Sequence, residues 1–83
     1  MQSRHIDLPR HELIKARLRI AGANMAQIGR ELGVSHTTIS SVSQGYSRSR
    51  RVEEAIAAKL SVGPESVWPE RYENKDEDGA PMK

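Results

Sequence analysis

Between Leu8 and Trp68 the apolar residues recur at helical spacing, and no stretch alternates strictly between apolar and polar as a half-buried strand would. The pattern predicts five helices and no sheet. Leu13, Ile14, Leu18 and Ala21 form the apolar face of the first helix, opposite Glu12, Lys15 and Arg19. That helix begins near Pro9, where a missing N–H has no intrahelical partner to lose, with Asp7 or Leu8 as its flanking cap. Gly22 supplies the left-handed residue that ends it. The second helix runs from about Met25 to Leu32 behind Asn24, and the third from His36 to Ser43 behind Ser35, both favourable N-caps. The fourth starts near Ser49 or Arg50 and buries Val52, Ala55, Ile56 and Leu60. Gly63-Pro64-Glu65 opens a short fifth helix, which stops by Trp68 because a residue before proline is biased away from helical backbone.

The second and third helices stand out because only the turn Gly33-Val34-Ser35 separates them, the arrangement of a helix-turn-helix whose second helix enters the major groove. Gly33 sits where the chain must turn sharply in a left-handed conformation. Val34 points back toward Ile28, Leu32, Ile39 and Val42, and these five can close a miniature core. Gly29 lies mid-helix, where it costs about 1 kcal/mol relative to Ala, so a close crossing of the two helices is expected there. The outer face of the third helix carries His36, Thr37, Ser40, Ser41 and Gln44, hydrogen-bonding side chains with no carboxylate among them. Such groups suit base edges and phosphates, whereas an ordinary solvated face more often carries Glu and Lys. The loop Gly45-Tyr46-Ser47-Arg48-Ser49-Arg50-Arg51 follows, and its guanidiniums have the donor fork that matches phosphate.

Composition narrows the alternatives. With 83 residues the chain can form one small domain, which excludes a multidomain enzyme. It has no Phe and three aromatics, so aliphatic residues and Met must supply most of the core. The absence of Cys removes disulfides, thiolate metal sites and cysteine nucleophiles. No apolar run nears the ~18 residues that span a bilayer, and the N-terminus has no signal-peptide pattern, so the chain reads as cytosolic. His5, His11 and His36 match no metal-ligand spacing, and histidines on polar faces are expected to be solvated. No nucleophile elbow or phosphate loop is present, so neither an enzyme nor a cofactor is expected. The formal charge of +2 hides an asymmetry, since residues 1–72 hold 11 basic and 7 acidic residues, while residues 73–83 hold four acids against two lysines. Those last eleven residues lack Val, Ile, Leu and aromatics, and they read as a disordered acidic tail. The organisation expected is a flexible arm over 1–7, a helix-turn-helix domain over 8–72 and the tail over 73–83.

The run Leu60-Ser61-Val62-Gly63-Pro64-Glu65-Ser66-Val67-Trp68-Pro69-Glu70-Arg71-Tyr72, with its Trp-Pro-x-Arg-Tyr ending, resembles the Ner-like family, named for the negative regulator of Mu-type transposable phages. Residues 22–33 are similar to that family too, and the resemblance covers roughly Leu8 to Tyr72. It implies an all-α, phage-repressor-like helix-turn-helix domain of five helices, acting as a sequence-specific double-stranded DNA-binding repressor of phage or prophage early or transposition genes. Carried over by residue, base reading falls to His36, Thr37, Thr38, Ser40 and Ser41. Phosphate contacts fall to Asn24, Gln27, Ser35, Gln44, Tyr46, Arg48, Arg50 and Arg51. Met25 stands where phage repressors often place a glutamine, which is why Asn24 or Gln27 takes that contact. No heptad seam exists, so a homodimer would be small or induced on DNA, and no small-molecule ligand is expected. The alternatives are a helix-turn-helix-shaped protein-interaction module, such as an antitoxin or adaptor, and a bacterial transcription activator. Trp68 and Tyr72 are expected to be core residues that fasten the fifth helix onto the first and fourth.

Overall fold

A computed structural model describes residues 6–72. Five helices follow one another as α1 (Leu8–Ile20), α2 (Met25–Leu32), α3 (His36–Gln44), α4 (Arg50–Lys59) and α5 (Pro64–Val67), and the described residues contain no strand. A further helical turn opens at Pro69 and is described as far as Tyr72. The proline thus ends α5 and starts the next turn, because its fixed φ suits a first helical position.

Side-chain caps set the boundaries. Asp7 accepts from the Arg10 N–H, Asn24 from Gln27, Ser35 from Thr38 and Ser49 from Val52, so each of the first four helices has a side-chain N-cap. Removing such a cap typically costs about 1 kcal/mol. Gly22 and Gly33 have φ of +81° and +75°, the left-handed values expected for them.

The core gathers Ile14 and Leu18 of α1, Met25 and Ile28 of α2, Ile39 and Val42 of α3, Val52 and Ile56 of α4, and Trp68. Leu32 and Val34 pack against it, so the miniature core of the helix-turn-helix merges into that of the whole domain. On α1 the buried stripe is His11, Ile14 and Leu18, while Leu13 and Ala21 are exposed, contrary to the predicted face. The i, i+3, i+7 spacing of 11, 14 and 18 makes a narrow stripe, and Leu13 lies about 100° away from Ile14 around the helix. His11 takes the place predicted for Leu13 because its Nδ1 finds the buried Ser43 hydroxyl at 2.8 Å, which satisfies both polar groups. It is therefore not solvated, unlike the exposed His36.

On α4 the fully buried positions include Glu53 and Ala57, whereas Ala55 and Leu60 are half-buried. Trp68 is fully buried as expected, and its indole N–H donates to the Ser43 carbonyl of α3 at 3.4 Å, which fastens the C-terminal segment to the third helix. Residues 1–5 of the expected arm over 1–7, and the whole of the expected tail over 73–83, lie outside the described residues. Asp7, at the end of that arm, donates its N–H to the Gln44 carbonyl at 2.9 Å, so the chain enters the domain beside the end of α3.

Candidate nucleic-acid interface

The turn between α2 and α3 is fixed by backbone geometry. The Val34 N–H donates to the Gly29 carbonyl at 2.9 Å, which folds the turn back onto α2. A Cβ on Gly29 would lie 2.8 Å from the Val34 carbonyl oxygen and 3.5 Å from the His36 nitrogen, so only glycine lets the turn and the start of α3 come this close. The close approach anticipated at Gly29 is present, made with the turn backbone itself.

On α3, Ile39 and Val42 turn inward, leaving His36, Thr37 and Thr38 exposed and Ser40, Ser41 and Gln44 half-buried on one side of the helix. Some of these groups already have partners. The Thr38 and Ser35 hydroxyls are 3.0 Å apart, and the Gln44 amide donates to Ser40 at 2.8 Å. His36, Thr37 and Ser41 make no side-chain hydrogen bond among the described residues. Their donors and acceptors are available to a ligand without breaking an internal bond. Asn24 spends its carbonyl oxygen on the Gln27 N–H at 2.8 Å. Both stay at the N-terminal end of α2, where the partial positive charge of the helix favours an anion.

Cations lie beside the start of this face. An open groove of about 490 Å³ separates α1 from the first turns of α2 and α3, with Leu18 and Met25 in its floor and Lys15, Arg19, Asn24 and His36 on its rim. Lys15 and Arg19 lie one helical turn apart on α1 and are absent from the site that the sequence suggested. Their i, i+4 spacing was legible, but the end of α2 that this stripe meets is a tertiary fact. Burial, reinforced by Lys15, lowers the pKa of the neighbouring His11, so that imidazole adds no charge here near neutral pH.

The arginines of the loop after α3 do not form one free cluster. Arg48 donates to the buried Glu53 at 2.7 Å, and Arg71 reaches the same carboxylate at 3.2 Å. The Tyr72 hydroxyl also donates to Glu53. Burial opposes ionisation of Glu53, but the hydrogen bonds from Arg48 and Tyr72 and the two guanidinium charges outweigh it, holding the carboxyl below the ordinary carboxylate range. Burial and the same carboxylate push the Tyr72 phenol up to about 12. Arg50 pairs with Glu54 at 3.0 Å on the surface, and Arg51 donates to the Leu32 carbonyl at 2.7 Å, capping the C-terminus of α2. Tyr46 is half-exposed beside these residues in sequence and makes no hydrogen bond through its hydroxyl among the described residues. Sequence reasoning missed Glu53 as the hub. The signal was an acid at position 53 on the stripe that continues through Ile56, Ala57 and Leu60.

A family model described as winged helix-turn-helix DNA-binding matches residues 7–83. No curated protein and no solved structure matches the chain. Among the described residues there is no strand, and therefore no β-wing; what the fold has in common with that description is its helix-turn-helix.

Proposed function

The chain belongs to the winged helix-turn-helix DNA-binding family, and from that premise we propose that it regulates transcription by placing α3 in the major groove of double-stranded DNA, as a Ner-like repressor of phage or prophage early or transposition genes. The observation that carries this reading is the set of unpartnered polar groups on α3, His36, Thr37 and Ser41, with Lys15 and Arg19 beside the start of the helix and the arginine loop following its end. His36, Thr37 and Ser41 are the side chains best suited to base edges, with Thr38 and Ser40 able to join by exchanging their internal bonds. Lys15 and Arg19 beside the start of α3, and Arg50 and Arg51 after its end, suit the phosphates of the strands bordering the groove. Asn24, Gln27, Ser35, Gln44 and Tyr46 contribute weaker backbone contacts. Arg48 gives most of its guanidinium to Glu53 and supports the loop, leaving a smaller share for DNA. The domain has no catalytic role in this reading and needs no cofactor.

A second reading, a protein-interaction module, draws on Leu13, Ile20 and Val62, large apolar residues left exposed on α1 and after α4. Titration of the full chain with a random duplex at several salt concentrations separates the two. A DNA-binding domain shows log affinity falling steeply with log salt, by about 0.9 per phosphate neutralised. A protein adaptor shows no binding at any salt.

A further inference from the structure

The described chain ends at Tyr72, whose ring has the Arg48 and Arg50 guanidinium carbons 5.8 and 5.5 Å from its centroid. Tyr72, the residue to which Glu73 is bonded, therefore lies beside the arginine loop. That surface carries more positive charge than its own carboxylates neutralise. Arg48 and Arg71 share the single carboxylate of Glu53, and Arg50 has Glu54. Arg51 is bound to a carbonyl, which brings no charge. Four guanidiniums thus face two whole carboxylates and a share of a third, that of Glu70, which Arg10 also holds, and both Arg48 and Arg50 keep more than half of their side-chain surface in solvent.

The residues that follow are Glu73, Asn74, Lys75, Asp76, Glu77 and Asp78, which hold four acids against one lysine. Six residues reach at most about 20 Å when extended. The backbone is therefore long enough to bring these acids within one Debye length of the arginines, ~8 Å at physiological ionic strength. The segment has no Val, Ile, Leu or aromatic side chain, which leaves charge as its means of attachment. We propose that the arginine surface around Tyr72 is a docking surface for the chain's own acidic segment 73–78, which competes there with DNA phosphate. The inference rests on the DNA-binding reading, because the competition matters only if phosphates approach Arg50 and Arg51. Its consequence is a built-in filter: weak, charge-driven contacts with arbitrary DNA are suppressed more than contacts that α3 reinforces at a matched sequence.

The test compares the full chain with a full-length variant carrying Glu73→Gln, Asp76→Asn, Glu77→Gln and Asp78→Asn, each with and without Arg50→Gln. Affinity for a random duplex is measured at low and high salt. Neutralising the segment is expected to tighten binding roughly three- to tenfold at low salt, the size of one to two exposed ion pairs. The gain should shrink at high salt and largely vanish in the Arg50→Gln background. An equal gain in that background would mean that net charge alone acts, and would overturn the docking surface. A gain that depends on protein concentration would assign the surface to the segment of a second copy and overturn competition within one chain. Intact DNA binding with no gain would overturn this inference alone, whereas failure of every form to bind any duplex would overturn the DNA-binding reading and this inference together.

Discussion

Replacing Glu53 by Gln preserves the side chain's shape and removes the charge on which Arg48, Arg71 and Tyr72 converge. Breaking one side of a buried ion pair usually costs about 3 to 5 kcal/mol, because the other charge is left without compensation. Here the two cations differ. The Arg48 side chain is 55% exposed and can recover water, whereas that of Arg71 is 7% exposed and cannot. Tyr72 retains an acceptor in the amide oxygen. The expected loss therefore lies at the lower end, about 3 kcal/mol, a large part of the roughly 5 to 15 kcal/mol that holds a domain folded. Trp68, the only tryptophan and fully buried, reports unfolding by its fluorescence. With a urea slope of about 1 to 1.5 kcal/mol per molar, the midpoint should fall by about 2 to 3 M. The contribution also has a pH signature. Because the folded-state pKa of Glu53 is lowered, its stabilisation is complete above the ordinary carboxylate value of about 4.3 and is lost as pH falls through the folded-state value. The wild-type and variant midpoints should converge on acidification. A midpoint change under 0.5 M at pH 7, or a gap that stays constant from pH 7 to pH 3, would refute this account of the hub.

Gly29→Ala gains about 1 kcal/mol of helix propensity but drives a Cβ to 2.8 Å from the Val34 carbonyl, a backbone atom that can yield only by moving the turn. With overpacking costing about 1 to 3 kcal/mol, urea denaturation should show a net destabilisation, and a stabilised variant would mean that the turn is looser than described. His11 supplies a second pH dependence: burial, aided by Lys15, lowers its folded-state pKa, so the unfolded chain takes up the proton first. Stability should be flat above about pH 6.5 and decline below it. His11→Gln should show a lower but flatter urea midpoint between pH 6.5 and 5, and an unchanged slope would place the proton uptake elsewhere.

The helices were legible because their signals are local. Asn24, Ser35 and Gly33 mark the ends of α2 and the start of α3, and the structure uses each in the role its chemistry suggests. The exposed hydroxyl face of α3 followed from the same periodicity. What could not be read was which polar groups find one another across the fold. His11 meets Ser43 from 32 residues away, and Glu53 meets Tyr72 from 19 away, so an imidazole and a carboxylate occupy positions where helical patterning expects apolar side chains. The arginine loop shows the same limit. Sequence spacing makes Arg48, Arg50 and Arg51 look alike, while the fold gives them a buried carboxylate, a surface carboxylate and a helix carbonyl. Lys15 and Arg19 were visible with Glu12 as the polar face of α1, but only the packing of α1 beside α2 and α3 brings them to the start of α3.

The central claim, that α3 reads base sequence while the flanking cations hold the backbone, is tested most directly by selecting preferred duplexes from a random pool. The wild-type chain, Thr37→Ala, Ser41→Ala and Arg19→Ala would each be used, with affinities then measured across salt. The account predicts that Thr37→Ala and Ser41→Ala change the selected sequence, each by up to about 1 kcal/mol at the affected base pair, with an unchanged salt slope. Arg19→Ala should select the same sequence, bind every duplex more weakly and flatten the salt slope by about one. If both α3 variants select the wild-type sequence and lose affinity equally for all duplexes, α3 is not the reading element and the claim fails.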